Sequence, residues 1–163
     1  MTRVVRFHQI GGPEVLQIEE LEVGAPGSGE LRIRVEAIGL NRAEAMFRSG
    51  VYLEPTQLPA RLGYEASGIV EALGSGVHGF EVGEAVSVIP AFSMNKFGVY
   101  AEQAIVPATG VLKRPAGVGA VKDGFVVTSG QGRCRYYDCR QDELLAKPLE
   151  LPAGLWDNHL HLM

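Results

Sequence analysis

Asn41, Glu44, Arg48 and Tyr52 lie at short intervals around a helix-forming segment, and Tyr64 and Glu65 follow in an otherwise apolar stretch. Together they offer a carboxamide, two carboxylates, a guanidinium and two phenols. Such groups hydrogen-bond a ligand or share a proton with it, but they are poor ligands for a soft metal. A structural role is open for each. Asn41 stands where a strand gives way to a helix, a position where Asn is a favoured N-cap, and Glu44 three residues on can complete a capping box. Arg48 and Tyr52 have the reach to meet phosphates or a substrate oxygen, yet surface arginines and half-buried tyrosines are common. Tyr64 can be a pocket wall or core, and Glu65 is expected to buttress its loop by accepting backbone amides.

Elsewhere the chemistry is thin. Cys134 and Cys139 have no His or Cys pair at zinc-site spacing and read as free thiols; His8 and His78 read as turn or surface residues. Gly130 and Gly132 follow an apolar strand, but no third glycine, apolar helix or later acidic residue completes a dinucleotide fingerprint. His159 and His161 would point to one side of a strand, and two donors alone make no metal site.

Short strands must position the candidate residues. Val4–His8, Val15–Leu21, Leu31–Ile38, Gly68–Leu73, Glu84–Ile89 and Tyr100–Val106 are β-rich, and glycine and proline turns separate them. Arg42–Ser49 breaks this rhythm with good helix formers and stops at Gly50. The expected fold is therefore mainly β with short helices, in a small barrel or sandwich. Pro115 and its neighbouring glycines mark a boundary. Residues 119–163 are too short for a second core and read as an irregular tail of unclear origin, with a short helix predicted over Asp142–Leu151.

A net charge of −4 without a basic run excludes an electrostatic footprint for nucleic acid, and no eighteen apolar residues run together to cross a membrane. The first residues lack the apolar stretch of a signal peptide, so a cytoplasmic location is expected.

Three segments, taken in order, resemble the zinc-lacking medium-chain dehydrogenases/reductases of quinone oxidoreductase type. They are Phe7-His8-Gln9-Ile10-Gly11-Gly12-Pro13-Glu14-Val15-Leu16, the stretch Gly39–Tyr52 with its Asn-x-x-Glu and Arg-x-Gly-x-Tyr, and Leu62–Val70 followed by Gly74-x-Gly76-Val77 and Val82-Gly83-Glu84. Gly98-x-Tyr100-Ala101-Glu102 extends the likeness to about residue 118. The resemblance implies a GroES-like catalytic domain over residues 1–118, a partly open β-barrel with short helices, and NADPH or NADH as cofactor, with a quinone, enone or other small conjugated carbonyl as substrate. It implies Asn41 and Tyr52 as catalytic residues and Asn41, Glu44, Arg48 and Tyr64 on the cofactor. Asn41 and Tyr64 stand where the zinc-using branch has Cys and His, so no metal is expected. Met46 departs from the tyrosine that many such reductases carry there. The complete dinucleotide site of the family is absent from this chain, which predicts a truncated protein inactive alone. The alternative is a non-catalytic fragment or interaction module that keeps the barrel. Loss of the nucleotide domain would uncover apolar residues such as Met46, Phe47 and Leu62, so the chain is expected to cover them with a second copy in a homodimer, to fold its tail over them, or to be poorly soluble.

Overall fold

A computed structural model describes residues 1–115 and 119–120 in full, and residues 125–129, 133–138, 143–144 and 149–150 as backbone strands. The first strands are β1 (Thr2–Phe7), β2 (Gln17–Leu21) and β3 (Glu30–Ile38), the last leading into helix α1 (Arg42–Arg48). They continue with β4 (Ala60–Arg61), β5 (Ala66–Leu73), β6 (Ala85–Val88), β7 (Gln103–Pro107) and β8 (Val111–Lys113). Period-two burial explains the strands. In β3, Leu31 and Ile33 are fully buried while Arg32 and Arg34 carry charge on the other face; in β7, Ala104 and Val106 are buried in the same alternation.

The strands form two antiparallel sheets, β2-β1-β4 and β7-β3-β5-β6-β8. Neither closes on itself. They meet where the Val5 N–H donates to the Tyr100 carbonyl (2.8 Å) and the Glu102 N–H donates to the Arg3 carbonyl (3.0 Å), which gives a partly open barrel. Val4, Phe7, Leu31, Ile33, Phe47, Val70 and Val106 fill it, each almost wholly removed from water.

The register between β3 and β5 slips twice, once between Arg32 and Ile33 and once between Val35 and Ala37. Opposite the second slip stands Gly68, where a Cβ would lie 2.2 Å from the Arg34 carbonyl oxygen. Only glycine permits that approach, and the irregularity bends the end of β3 that carries the loop into Asn41.

Three expectations change. Val15–Leu21 is not one strand, because Pro13–Val15 turns in a 3₁₀ helix before β2 starts at Gln17. Phe47 and Leu62 are not surface residues: they are 0 % and 2 % exposed and belong to the core. Exposed apolar residues flank α1 instead: Ile38 and Leu40 before it, Val51 and Leu53 after it. In the tail, Glu143–Leu144 and Leu149–Glu150 are strands paired with Arg133–Asp138, not a helix over Asp142–Leu151. Gly130, Gly132, Cys139, His159 and His161 lie outside the described residues, and Cys134 is described as backbone only.

Candidate active site

β3 ends at Ile38, and three residues later Asn41, in extended conformation (φ −123°, ψ 151°), caps α1. Gly39 makes the turn possible because any Cβ there would stand 2.8 Å from Glu65 Oε2 and 2.9 Å from Glu65 Cβ. The approach brings two chain segments together. The Asn41 side-chain amide donates to Glu65 Oε2 at 3.2 Å, and the Gly39 N–H donates to the Glu65 carbonyl at 2.9 Å.

Glu44 completes the cap from the other side. Its Oε2 accepts the Asn41 N–H at 2.5 Å, and its Oε1 accepts the Tyr64 N–H at 3.2 Å. The carboxylate that gathers backbone amides is thus Glu44, only 4 % exposed, whereas Glu65 accepts a side-chain amide. That reverses the part expected of Glu65. The physical reason is position, since the N3 site of a helix looks back at its own cap and the Tyr64 amide approaches the same corner.

Tyr100 closes this corner. Its hydroxyl donates to the Gly39 carbonyl at 2.9 Å. Nothing local marked Tyr100 as a site residue; its part depends on the loop before β7 folding back over Gly63. At Gly63 the backbone has φ +104°, and a Cβ would stand 2.3 Å from the Tyr100 ring.

The aromatic side chains form a continuous series from Phe7 through Phe47, Tyr52, Tyr64 and Phe92 to Phe97, with successive centroids 5.8 to 6.3 Å apart. Three of these pairs are edge-to-face and two are tilted, and aromatic pairs contribute roughly 0.5–1.5 kcal/mol each beyond the area they bury. The series fixes Tyr52, half-buried at the end of α1, against Tyr64, which is buried. Burial first, and then the contact with Tyr52, hold the Tyr64 phenol well above its ordinary value; burial followed by Glu44 does the same for Tyr100. Both stay neutral donors.

Burial also raises both carboxyls, and Glu65 is raised further by the charge of Glu44. Among the described residues no cation pairs with either. A carboxyl raised on folding from its ordinary 4.5 is destabilising while ionised, so its cost is fully present above the folded value and is relieved as pH falls towards 4.5. Glu65→Gln keeps an acceptor for Asn41 and removes the charge. The variant should be more stable than the wild type at neutral pH, and the difference should shrink on acidification. Paired urea titrations across that window check the sign; a variant less stable at neutral pH would contradict it.

Arg48 is the last residue of α1. It is only 9 % exposed, and its guanidinium donates to the Gly11 carbonyl at 2.6 Å, tying α1 to the first turn. The structure therefore brings Asn41, Glu44, Tyr64 and Glu65 together with Tyr52 beside them, and turns Arg48 away. Asn41 and Tyr52 keep partial exposure, while Glu44 and Tyr64 are enclosed.

Residues 27–116 match the family model of the alcohol dehydrogenase GroES-like domain, more than half of the chain. This chain belongs to that family. Its relatives refine the placement to medium-chain dehydrogenases/reductases of quinone oxidoreductase type. A quinone oxidoreductase of Pseudomonas aeruginosa is 36% identical over 130 residues, covering 80% of this chain and 38% of its own length. A 2-haloacrylate reductase of a Burkholderia species is 35% identical over 117 residues, covering 71% and 34%. The crystal structure of Escherichia coli quinone oxidoreductase complexed with NADPH superposes with a TM-score of 0.64 at 32% identity, over 74% of this chain and 35% of that one. The chain thus spans about a third of the length of the relatives it matches. Among the described residues no helix is long and apolar enough to cross a membrane.

Proposed function

We propose that the chain supplies the substrate-facing wall of an NAD(P)H-dependent reductase of quinones, enones or related conjugated carbonyls, working without zinc. The observation that carries the reading is the partly exposed Asn41 carboxamide, held by Glu65 and by the helix cap. The relatives support it: one is a quinone oxidoreductase whose structure holds NADPH, and another is a reductase of 2-haloacrylate.

The residues fit a nicotinamide in part. With one amide N–H spent on Glu65 and its side-chain oxygen in the capping box, Asn41 keeps a second N–H and that oxygen's other lone pair for a carboxamide or a substrate carbonyl, and Tyr52 adds a hydroxyl. Glu44 is fully committed to protein donors and Tyr64 is enclosed, so we assign them to shaping the site. When bound, NAD(P)H would supply hydride. The protein's task is then to orient the acceptor carbonyl and meet the charge that grows on its oxygen. Fixed donors in a site from which aromatic walls exclude water do this most effectively. A conjugated acceptor spreads that charge itself, which is why the chemistry can proceed without a Lewis acid.

Asn41 and Tyr64 occupy the two positions where the zinc-using branch places thiolate and imidazole, and neither carboxamide nor phenol replaces those donors. Elemental analysis of the purified chain should find no stoichiometric zinc. One tightly held zinc per chain would refute the zinc-free reading.

Alone, the chain should not oxidise NADPH in the presence of a quinone. Joined after residue 115 to the remaining portion of the Pseudomonas aeruginosa relative, it should do so with saturation in both reactants. A folded chimera that binds NADPH yet reduces no quinone, enone or haloacrylate would refute the reading.

A further inference from the structure

We propose that the groove between β1, β4 and the loop around Lys96 is a binding site for a small phosphate-bearing ligand, held by Arg61, Arg6 and Lys96. The groove encloses roughly 490 Å³ and is lined by Arg6, Glu22, Pro59, Arg61, Asn95 and Lys96, none of which belongs to the Asn41 site. Cavities of this size accept small organic ligands.

The argument begins with strand register. Arg6 on β1 and Arg61 on β4 are direct antiparallel partners. Side chains at such positions share a face about 5 Å apart, and like charges placed there repel. Arg6 is compensated by Glu19 at 2.8 Å. Arg61 has no carboxylate within ion-pairing distance among the described residues, although it is only partly exposed. Burial and then Arg6 pull its guanidinium below the ordinary arginine value, the direction expected of an uncompensated cation. Lys96 brings a third positive charge to the same groove, and Glu22 is the one carboxylate among the lining residues.

The groove is also held in shape. Gly98 packs so closely that a Cβ on it would stand 2.5 Å from Arg61 Cβ, which fixes the base of the arginine side chain. Asn95 pins the opposite wall: its Oδ1 accepts the Gln57 N–H at 2.8 Å and its Nδ2 donates to the Pro55 carbonyl at 3.0 Å. An arginine held at its base loses less freedom when it binds. With Arg6 shared with Glu19, the donors uncommitted among the described residues are the Arg61 fork and the Lys96 ammonium ion, and a tetrahedral dianion can take the paired N–H groups of Arg61 on two oxygens and the Lys96 charge on a third.

The test uses the purified, ¹⁵N-labelled chain at neutral pH and constant ionic strength, titrated with inorganic phosphate and, separately, with acetate. Phosphate should shift the amide signals of Arg61, Asn95 and Lys96 saturably, and acetate should not. Arg61→Lys, which keeps the charge and loses the fork, should weaken phosphate binding by about tenfold or more, the scale of one charge-assisted hydrogen bond. Lys96→Gln alters an exposed side chain, so its folding is not in question, and it should weaken binding severalfold. Shifts that never saturate, an equal response to acetate, or unchanged phosphate affinity in both variants would overturn the proposal.

Discussion

Replacing Phe47 by alanine is expected to destabilise the domain by about 3–5 kcal/mol, the range for removing a fully buried phenyl ring. Phe47 is wholly buried on α1 and stands edge-on to both Phe7 and Tyr52, at 6.2 Å from each. Few substitutions combine lost transfer energy, a large cavity and two broken aromatic pairs in this way. A small domain has about 5–15 kcal/mol in all, so a large part of the molecules should be unfolded under conditions where the wild type is folded. The consequence reaches the site, because Tyr52 leans on Phe47 and the Phe47 carbonyl accepts the Thr56 hydroxyl at 2.6 Å. Phe47→Leu should lose less, as it keeps much of the volume. Urea unfolding of the two variants, followed by tyrosine fluorescence, checks both magnitude and order; an alanine variant within about 1 kcal/mol of the wild type would show that this part of the core is not packed as described.

Replacing Asn41 by alanine in the active chimera is expected to lower kcat/KM by roughly 10²–10³, the usual effect of removing one fixed donor from developing oxyanion charge. If Asn41 contacts the reacting carbonyl, most of the loss should fall on kcat, because an interaction made only in the transition state does not alter ground-state binding. Asn41 also caps α1, and losing a cap costs about 0.5–2 kcal/mol of stability. The two parts can be told apart. Asn41→Ser retains a capping oxygen, so it should recover the stability of the helix without recovering the rate. Full activity in the serine variant would reduce Asn41 to a cap, and equal rates in wild type and alanine variant would remove it from the site.

Fold class was legible because it rests on local patterns. The two-residue burial alternation in Leu31–Ile38, the glycine and proline turns, and the helix formers of Arg42–Ser49 place most of β1 to β7 and α1 within a few residues of where they lie. β4 and β8 were not foreseen, since strands of two and three residues carry too few alternations to show a period. Leu62 and Phe47 read as surface because the expectation placed another domain over them, when both belong to this domain's own core and Phe47 packs between Phe7 and Tyr52.

Of the site, the residue types at Asn41, Glu44, Tyr52, Tyr64 and Glu65 and the cap itself were determined by the sequence alone, because N-cap chemistry acts across three residues. The tertiary structure decided which carboxylate does what. Glu44 meets Tyr64, twenty residues away, only because Gly39 and Gly63 let two loops approach without a Cβ between them. Tyr100 joins from sixty-one residues beyond Gly39, and Arg61 faces Arg6 through a pairing of two short strands. Contacts at that separation leave no periodic trace in a sequence, since they depend on how sheets and loops pack rather than on what any one segment prefers.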